Sequence, residues 1–185
     1  MTSLLFREYS KRLVRFLDGF DWSTIVPLAE NLREALRTRK SVYLCGNGGS
    51  AANAIHLAND YLYGIGKKTG VTLKVEALPA NPSVLTCLAN DVGYAEVFAQ
   101  QLKTKGEEGD TLIVLSGSGE SPNLVRALEV AHGLSMKTFA LVGYSGGRCK
   151  ELADHAIHFD IQDMQICEDL QQIVGHMLMQ CLAEG

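Results

Sequence analysis

The sequence predicts an α/β fold in which helices cover both faces of a parallel β-sheet, giving a three-layer sandwich. Short apolar runs alternate with helical stretches from residue 41 onwards, and two Gly/Ser-rich loops each join such a run to a helix. Parallel strands are connected by right-handed helical crossovers, which cover the sheet from both sides. The length of 185 residues, with 46% hydrophobic and 21% charged side chains, suits one core of this kind.

The predicted elements fall into a helical N-terminal segment and an alternating remainder. Residues 2–18 and 23–38 are predicted helices, because their apolar side chains repeat at the helical period. Strands are predicted at the apolar runs 41–45, 73–78, 111–115, 138–142 and 155–160. Helices are predicted at 82–89, 92–105, 122–133 and 164–183, with a further one starting at Ser50 and a short turn or helix at 146–153. Because no repeat or linker interrupts the chain, we expect a single domain over 1–185, with an N-terminal helical segment at 1–40 and an α/β core with its C-terminal helix at 41–185.

Composition excludes several classes of function. The net charge of −4 lacks the basic footprint that nucleic-acid-binding proteins usually carry. The five cysteines are odd in number and have no CxxC spacing, which argues against a disulfide framework and favours a reducing compartment. The N-terminus mixes charged with apolar residues, so no signal peptide is expected, and no apolar run approaches the ~18 residues of a membrane span. We therefore expect a cytoplasmic protein that contacts neither membranes nor nucleic acid directly.

The first Gly/Ser loop opens the segment "CGNGGSAANAIHLANDY". Gly46, Gly48 and Ala51 match the GxGxxA pattern that binds dinucleotides after a strand. That pattern also needs an acidic residue about 20 positions on, and Glu76 lies too far along the chain. The Walker pattern fails as well, because Gly-Lys-Ser/Thr occurs nowhere in the sequence. A dinucleotide site is therefore the weaker interpretation of this loop.

The second loop, "LSGSGESPNL", favours a phosphate site. It carries Ser116, Ser118 and Ser121, and Ser121 precedes Pro122, which is a preferred first residue of a helix. Unpaired N–H groups and the partial positive charge at a helix N-terminus bind anions, and serine hydroxyls add neutral donors. Such loops can also serve only to turn the chain. Two of them, both at carboxyl ends of predicted strands, favour a ligand, because parallel sheets bind ligands at that edge.

Polar side chains lie at helical spacing in two segments. His56 and Asp60 are four residues apart on the helix that follows the first loop. On the last helix, Glu168, Gln172 and His176 are also spaced by four and therefore share one face. Each set could be a solvated polar helix face. The position of the first pair just beyond a candidate phosphate loop favours a functional role.

Four segments resemble the SIS (sugar isomerase) domain family, and within it the phosphoheptose isomerases. They are "CGNGGSAANAIHLANDY", "LANDVGYAEVFAQQL", "GDTLIVLSGSGESPNLVRAL" and "GHMLMQ", and the likeness covers nearly the whole chain. The resemblance implies a flavodoxin-like or Rossmann-like five-stranded parallel sheet flanked by helices. It also implies a homotetramer with sites at subunit interfaces, acting as an aldose–ketose isomerase on sedoheptulose 7-phosphate.

The same resemblance implies roles for individual residues. The substrate site would comprise Asn47, Gly48, Ser50, Asp91, Ser116, Gly117, Ser118, Ser121 and Glu168. The four serines would hold the phosphate, while Asn47 and Asp91 would contact the sugar chain. A zinc ion, one per subunit, would be held by His56, Asp60, Glu168 and His176. Asp60 would act as the base and His176 as the acid in a proton transfer through an enediol.

The chain departs from the family pattern at three of these positions. Gly117 stands where the family often has threonine, which removes one hydroxyl from the phosphate loop. Asp60 replaces a glutamate and is one methylene shorter. Glu168 replaces a glutamine and adds a negative charge. Two histidines and two carboxylates remain a suitable ligand set for zinc.

Two other functions remain open on the sequence. The first is a non-catalytic SIS protein that binds a phosphosugar or a replication initiator protein, which the departures at Asp60 and Glu168 favour. The second is an isomerase or lyase that acts on a different sugar phosphate. Retention of both histidines and of one carboxylate on the first helix favours the enzyme.

Overall fold

The computed structural model describes residues 2–184 and contains the alternating elements that the sequence predicts. The strands are β1 (Ser41–Gly46), β2 (Lys74–Ala77), β3 (Thr111–Ser116), β4 (Lys137–Val142) and β5 (His155–His158). The longer helices are α1 (Thr2–Gly19), α2 (Val26–Thr38), α3 (Gly48–Asn59), α5 (Pro82–Asp91), α7 (Pro122–Gly133) and α9 (Met164–Ala183). Three shorter helices are α4 (Ile65–Thr69), α6 (Ala99–Lys105) and α8 (Gly147–Leu152).

The five strands form one parallel sheet in the order β2-β1-β3-β4-β5, which confirms the predicted fold class. Val42 pairs with Thr111 across β1 and β3, and Thr111 pairs with Lys137 across β3 and β4. All six residues of β3 are buried, as expected for the central strand of a sheet covered on both faces.

Two hydrophobic cores lie on opposite faces of the sheet and complete the three layers. One core joins α2, α3 and α9 to side chains such as Leu44, Leu115 and Phe139. The other joins α6, α7 and α8 to the alternate side chains of the same strands, such as Cys45 and Val114. The alternation follows from the period of two in a β-strand. Helix α1 packs on the first core only through partly buried residues such as Tyr9 and Phe16.

The structure differs from the sequence prediction most clearly at residues 92–105, where one helix was expected. Helix α5 ends just before this segment, at Asp91. Gly93 then has a φ of +95°, a conformation that favours glycine and is not helical, and a short 3₁₀ turn covers Tyr94–Glu96. Helix α6 begins only at Ala99. None of the helices in the described part of the chain is long and apolar enough to cross a bilayer.

Candidate active site

The strand order places both Gly/Ser loops beside each other. The chain runs from β1 outwards to β2 and then returns to the other side of β1 to form β3. This reversal creates a crevice at the carboxyl ends of β1 and β3, which is the usual ligand position in open parallel sheets. The first loop leaves β1 at Gly46 and the second leaves β3 at Ser116, so both face this crevice.

The first loop presents the N-terminus of α3 to the crevice. Gly48 has a φ of +55°, and a side chain there would meet no atom within 4 Å, so the space beside this residue is open to a ligand. Ser50, in the first turn, is 3% exposed. Asn47 occupies the N-cap position, but its side chain makes no capping hydrogen bond. The turn therefore keeps the donors that bind an anion at a helix N-terminus.

The second loop is held in shape by its own serines. Ser116 Oγ accepts a hydrogen bond from the backbone N–H of Gly119 at 2.9 Å, and Ser118 Oγ accepts one from Glu120 N–H at 3.3 Å. Each hydroxyl retains its hydrogen for donation to a ligand. Ser121 is the N-cap residue of α7, as predicted, but its hydroxyl makes no capping hydrogen bond. It therefore remains available to an anion in the crevice.

Between the two loops lies a cavity of about 120 Å³. It is lined by Asn47, Ser50, Leu115, Ser116, Gly117, Ser118, Ser121, Met164 and Glu168. This volume accommodates a phosphate-sized group and is far below the ~300–1,000 Å³ of a pocket that encloses a whole ligand. The cavity therefore suits one end of a phosphorylated molecule, whose remainder extends along the surface.

An amide pair that the sequence did not reveal joins the two loops. Asn123, in the first turn of α7, is 1% exposed and exchanges two hydrogen bonds with Asn47, at 2.8 and 2.9 Å. The hydroxyl of Tyr94 also donates to Asn47 Oδ1 at 2.9 Å. This pairing orients the Asn47 amide at the rim of the cavity. The one sequence signal for it was the position of Asn123 inside the Ser-rich loop.

Further along α3 and α9, three side chains converge. His56 Nε2 lies 3.0 Å from His176 Nε2, and Asp60 Oδ2 lies 3.2 Å from His56 Nε2 and 3.4 Å from His176 Nε2. About half of each histidine side chain is exposed, against 21% of Asp60. The predicted polar faces of two helices distant in sequence thus form one cluster, hereafter the His/Asp/His cluster.

The geometry of the His/Asp/His cluster fits a tetrahedral metal ion. Zinc bonds of ~2.0–2.1 Å to nitrogen and oxygen place the ligand atoms of a tetrahedron roughly 3.3–3.4 Å apart. The three separations of 3.0–3.4 Å match the edges of one tetrahedral face. All three atoms belong to one group that could hold a metal ion. Three protein ligands with a fourth position open is the arrangement of catalytic rather than structural zinc sites.

Close packing of α3 on α9 brings the cluster together. A Cβ atom on Gly175 would lie 2.2 Å from Leu57 Cδ2, so glycine is what allows the helices to approach at this point. Asn53 Nδ2 adds hydrogen bonds to Glu168 O and Gln171 Oε1, at 2.9 and 3.0 Å. Because His56 precedes Leu57 and His176 follows Gly175, this contact sets the distance between the two imidazoles.

Helix α3 continues into a single π-helical turn that starts at Asp60 and ends at Gly64. Such turns often occur at functional sites, because the extra residue redirects side chains. Tyr61 in this turn donates from its hydroxyl to Gly175 O at 3.2 Å. Burial, and to a smaller extent the charge of Asp60, raises the pKa of Tyr61, so the phenol stays protonated and keeps its donor.

Two predicted site residues lie apart from these groups. Glu168 is not part of the His/Asp/His cluster but lines the cavity two turns earlier on α9, where its carboxylate lies against Gly49. Asp91 ends α5, is exposed, and accepts hydrogen bonds from Asn90 Nδ2 at 2.8 Å and from Cys87 Sγ at 3.5 Å. Within the described residues it does not line the cavity. The structure therefore assembles the serine cradle and three of the four expected metal ligands.

Comparison with known proteins agrees with this geometry. A model of the SIS domain family matches residues 6–143. The chain belongs to the SIS domain family. A phosphoheptose isomerase of this family from a Nitratiruptor species is 42% identical over 152 residues, which cover 82% of this chain and 81% of that protein.

Two solved phosphoheptose isomerase structures share the whole SIS fold of the chain. The protein from Neisseria gonorrhoeae superposes with a TM-score of 0.91 at 27% identity, and the one from Francisella tularensis with 0.93 at 26%. Both alignments cover 100% of each chain. The family resemblance and the fold stated from the sequence are thereby confirmed.

Proposed function

We propose that the protein is a sugar-phosphate isomerase that interconverts sedoheptulose 7-phosphate and D-glycero-D-manno-heptose 7-phosphate. The observation that carries the proposal is a phosphate-sized cavity and a separate His/Asp/His cluster on the same two helices. A phosphate cradle alone would suit any phosphosugar-binding protein. A second group of acid/base side chains, at a fixed distance from the cradle, supplies what the reaction needs.

The distance between the two parts of the site supports a seven-carbon substrate. Ser50 and His56 are six residues apart on α3, which corresponds to roughly 9 Å at ~1.5 Å per residue. An extended chain from the phosphorus through C7 to C1 has eight bonds, each advancing about 1.2 Å, for a total of roughly 10 Å. A heptose 7-phosphate held at its phosphate would thus extend C1 and C2 to the cluster.

In the cradle, Ser50, Ser116, Ser118 and Ser121 hold the phosphate, with backbone N–H groups from Gly48 and Gly117. Asn47 contacts the sugar hydroxyls, in the orientation that its pairing with Asn123 fixes. Glu168, which lines the cavity, is a further contact to the sugar chain, and Asp91, outside the cavity, would contact only the part of the sugar that extends beyond it. Fixing the substrate at its unreactive end orders C1 and C2 for reaction, so the binding energy of the phosphate supports the chemical step.

At the other end, Asp60 acts as the base and His176 as the acid. Asp60 removes a proton from C1 of the ketose while the imidazole of His176 gives a ring N–H proton to O2, which yields an enediol. His176 then accepts the O1 proton, and the proton held by Asp60 returns to C2, which yields the aldose. Protons and charges balance over the two steps. Asp60 Oδ2 faces the imidazoles, so the reaction rests on a short carboxylate placed beside both.

A zinc ion fits the donor set of the His/Asp/His cluster. His56, Asp60 and His176 would hold it, and Glu168 would reach it only by leaving its place against Gly49. When bound, zinc would polarise the oxygens on C1 and C2. The separations of 3.0–3.4 Å between the three ligand atoms are the support for this part of the proposal.

The site faces outwards in a single chain, which supports active sites at the subunit interfaces of a homotetramer. His56 and His176 are half exposed, and Ile55, Leu62 and Met177 nearby are 39–51% exposed. Apolar side chains around a reactive cluster suit burial by a second subunit, which would also exclude water. Light scattering should give about four times the 20.1 kDa of one chain.

All five cysteines are free thiols, and burial raises the pKa of Cys45 and Cys149. Unpaired cysteines support the reducing cytoplasm as the compartment.

The whole chain is proposed to be one SIS domain, since both parts of the site draw on α9, which lies beyond the matched residues 6–143.

The decisive experiment incubates the protein with sedoheptulose 7-phosphate in D₂O and follows it by proton NMR. Deuterium should enter C1 or C2 and new anomeric signals should grow in the wild type, while Asp60→Asn should show neither. Asp18→Asn, the same change at an exposed site on α1, is the control and should behave as the wild type. Absence of both exchange and product with zinc present would overturn the proposed reaction in favour of a different sugar phosphate or of a binding protein.

A further inference from the structure

One wall of the phosphate cavity is formed by a contact between Met164 and Gly117. Met164 is the first residue of α9, and Gly117 follows β3 in the Ser-rich loop. A Cβ atom on Gly117 would lie 2.2 Å from Met164 Sδ and 2.7 Å from Met164 Cε. Both residues line the cavity. The thioether therefore occupies the space that a side chain at position 117 would fill.

The need for glycine at position 117 is steric. Gly117 is buried and does not have the positive φ found at Gly48 and Gly119 in the same two loops. Its backbone could thus carry an L side chain without strain. Met164 is the obstacle, and it is flexible and apolar, which suits it to filling irregular gaps. Positions 117 and 164 therefore share one volume, which either residue can fill.

We infer that Met164 is a specificity-determining residue that sets the size of the anion the cavity admits. The inference rests on the proposed function only in taking the bound group to be a terminal phosphate monoester. Because Gly117 has no side chain, the thioether covers one side of the cavity beside the serine hydroxyls and shields that side from water. Hydrogen bonds to a phosphate are stronger where water is excluded than in contact with water. Position 117 thus presents an apolar wall to the anion, formed by the Met164 side chain.

The test is a double-mutant cycle on anion binding, measured by calorimetry with inorganic phosphate and with tungstate, a larger tetrahedral anion. Gly117→Ala should force Met164 out of place and weaken phosphate binding about tenfold or more, equivalent to about 1.4 kcal/mol. Met164→Ala should also weaken phosphate binding, and should shift the phosphate-to-tungstate preference towards tungstate by about tenfold. In the double variant the alanine methyl fills part of the vacated space, so its phosphate affinity should exceed that of either single variant.

Two controls separate this role from general destabilisation. Met164→Leu keeps the volume and should retain the wild-type preference between the anions. Met136→Ala removes a buried methionine far from the cavity, in the core of α6 and α7, and should lower stability without changing anion preference. Additive losses in the cycle, or an unchanged preference in Met164→Ala, would overturn the inference. If the cycle holds but sedoheptulose 7-phosphate is not converted, only the proposed reaction fails.

Discussion

Replacing Gly175 with alanine tests whether close helix packing positions the His/Asp/His cluster. The new methyl group would lie 2.2 Å from Leu57 Cδ2, 2.7 Å from Cδ1 and 2.9 Å from Cγ. The whole end of the leucine side chain blocks this space, so a change of rotamer cannot relieve every contact. Leu57 is 2% exposed and packed in the core, so its side chain has no free space to move into. We therefore expect α3 to shift away from α9 to relieve the clash with the new methyl group.

The expected change in stability combines two opposing effects. Overpacking a well-filled core costs about 1–3 kcal/mol. Alanine gains up to about 1 kcal/mol over glycine inside a helix. We expect a net loss of about 1–2 kcal/mol, which for a chain of this length lowers the Tm by roughly 2–8 °C. The same shift separates His56 from His176, and altered support of metal ligands weakens metal affinity by about 10–100-fold.

Thermal unfolding of the metal-free protein and zinc binding in competition with a chromophoric chelator would measure the two effects. Gly133→Ala, at the end of α7 with no atom within 4 Å, is the control and should keep zinc affinity without lowering the Tm. In a Leu57→Ala background the obstruction is gone, so adding Gly175→Ala should no longer destabilise. A Gly175→Ala protein with an unchanged Tm would refute the packing argument. A lower Tm with unchanged zinc affinity would refute its link to the cluster.

Three further predictions concern single side chains. Asp60→Asn should lower kcat about 10²–10⁴-fold, as expected for loss of a general base, while calorimetry should show unchanged phosphate affinity; a matching loss of affinity would contradict the separate roles of cavity and cluster. Asn123→Ala should raise KM for the sugar phosphate about tenfold, or about 1.4 kcal/mol, because Asn47 loses its orienting partner. The change in kcat should be smaller. Steady-state kinetics that show a change in kcat alone would exclude this role of Asn123. Burial and then the hydrogen bond to Asp169 raise the pKa of Tyr9 from 10.0 to about 12, so its contribution to stability is complete below pH 10 and is lost as the pH rises to 12. Denaturant titrations should therefore show that the difference in unfolding free energy between wild type and Tyr9→Phe shrinks between pH 10 and 12. A constant difference over this range would contradict the raised pKa of Tyr9.

The fold class could be predicted from sequence because its signals are local. A buried strand such as Thr111–Ser116 needs a continuous apolar run, and a loop such as the one after Ser116 needs glycine for its backbone conformation at Gly119. Both requirements leave a mark within a few residues. The prediction of one helix at 92–105 was wrong because Gly93 interrupts it. Glycine is a known helix breaker, but the helical repeat of apolar residues on either side of it outweighed that signal.

The composition of the site was equally visible, because phosphate and metal chemistry restrict residue types. Serine-rich loops before helices and His/Asp pairs at helical spacing carry that chemistry in the sequence. Glu168 shows what spacing along a helix leaves open. It shares a helix face with His176 but is two turns away, so it lines the cavity rather than the His/Asp/His cluster.

The sequence by itself therefore determined the alternating elements, the two loops and the kinds of side chain that the site contains. Only the tertiary structure decided which of them meet: Asn47 with Asn123, Met164 with Gly117, and His56 with His176. These contacts join residues 47 to 120 positions apart. Their distances depend on how closely α3, α7 and α9 pack on the sheet, and packing is set by the fit of whole surfaces, as at Gly175 and Leu57, which no local pattern records.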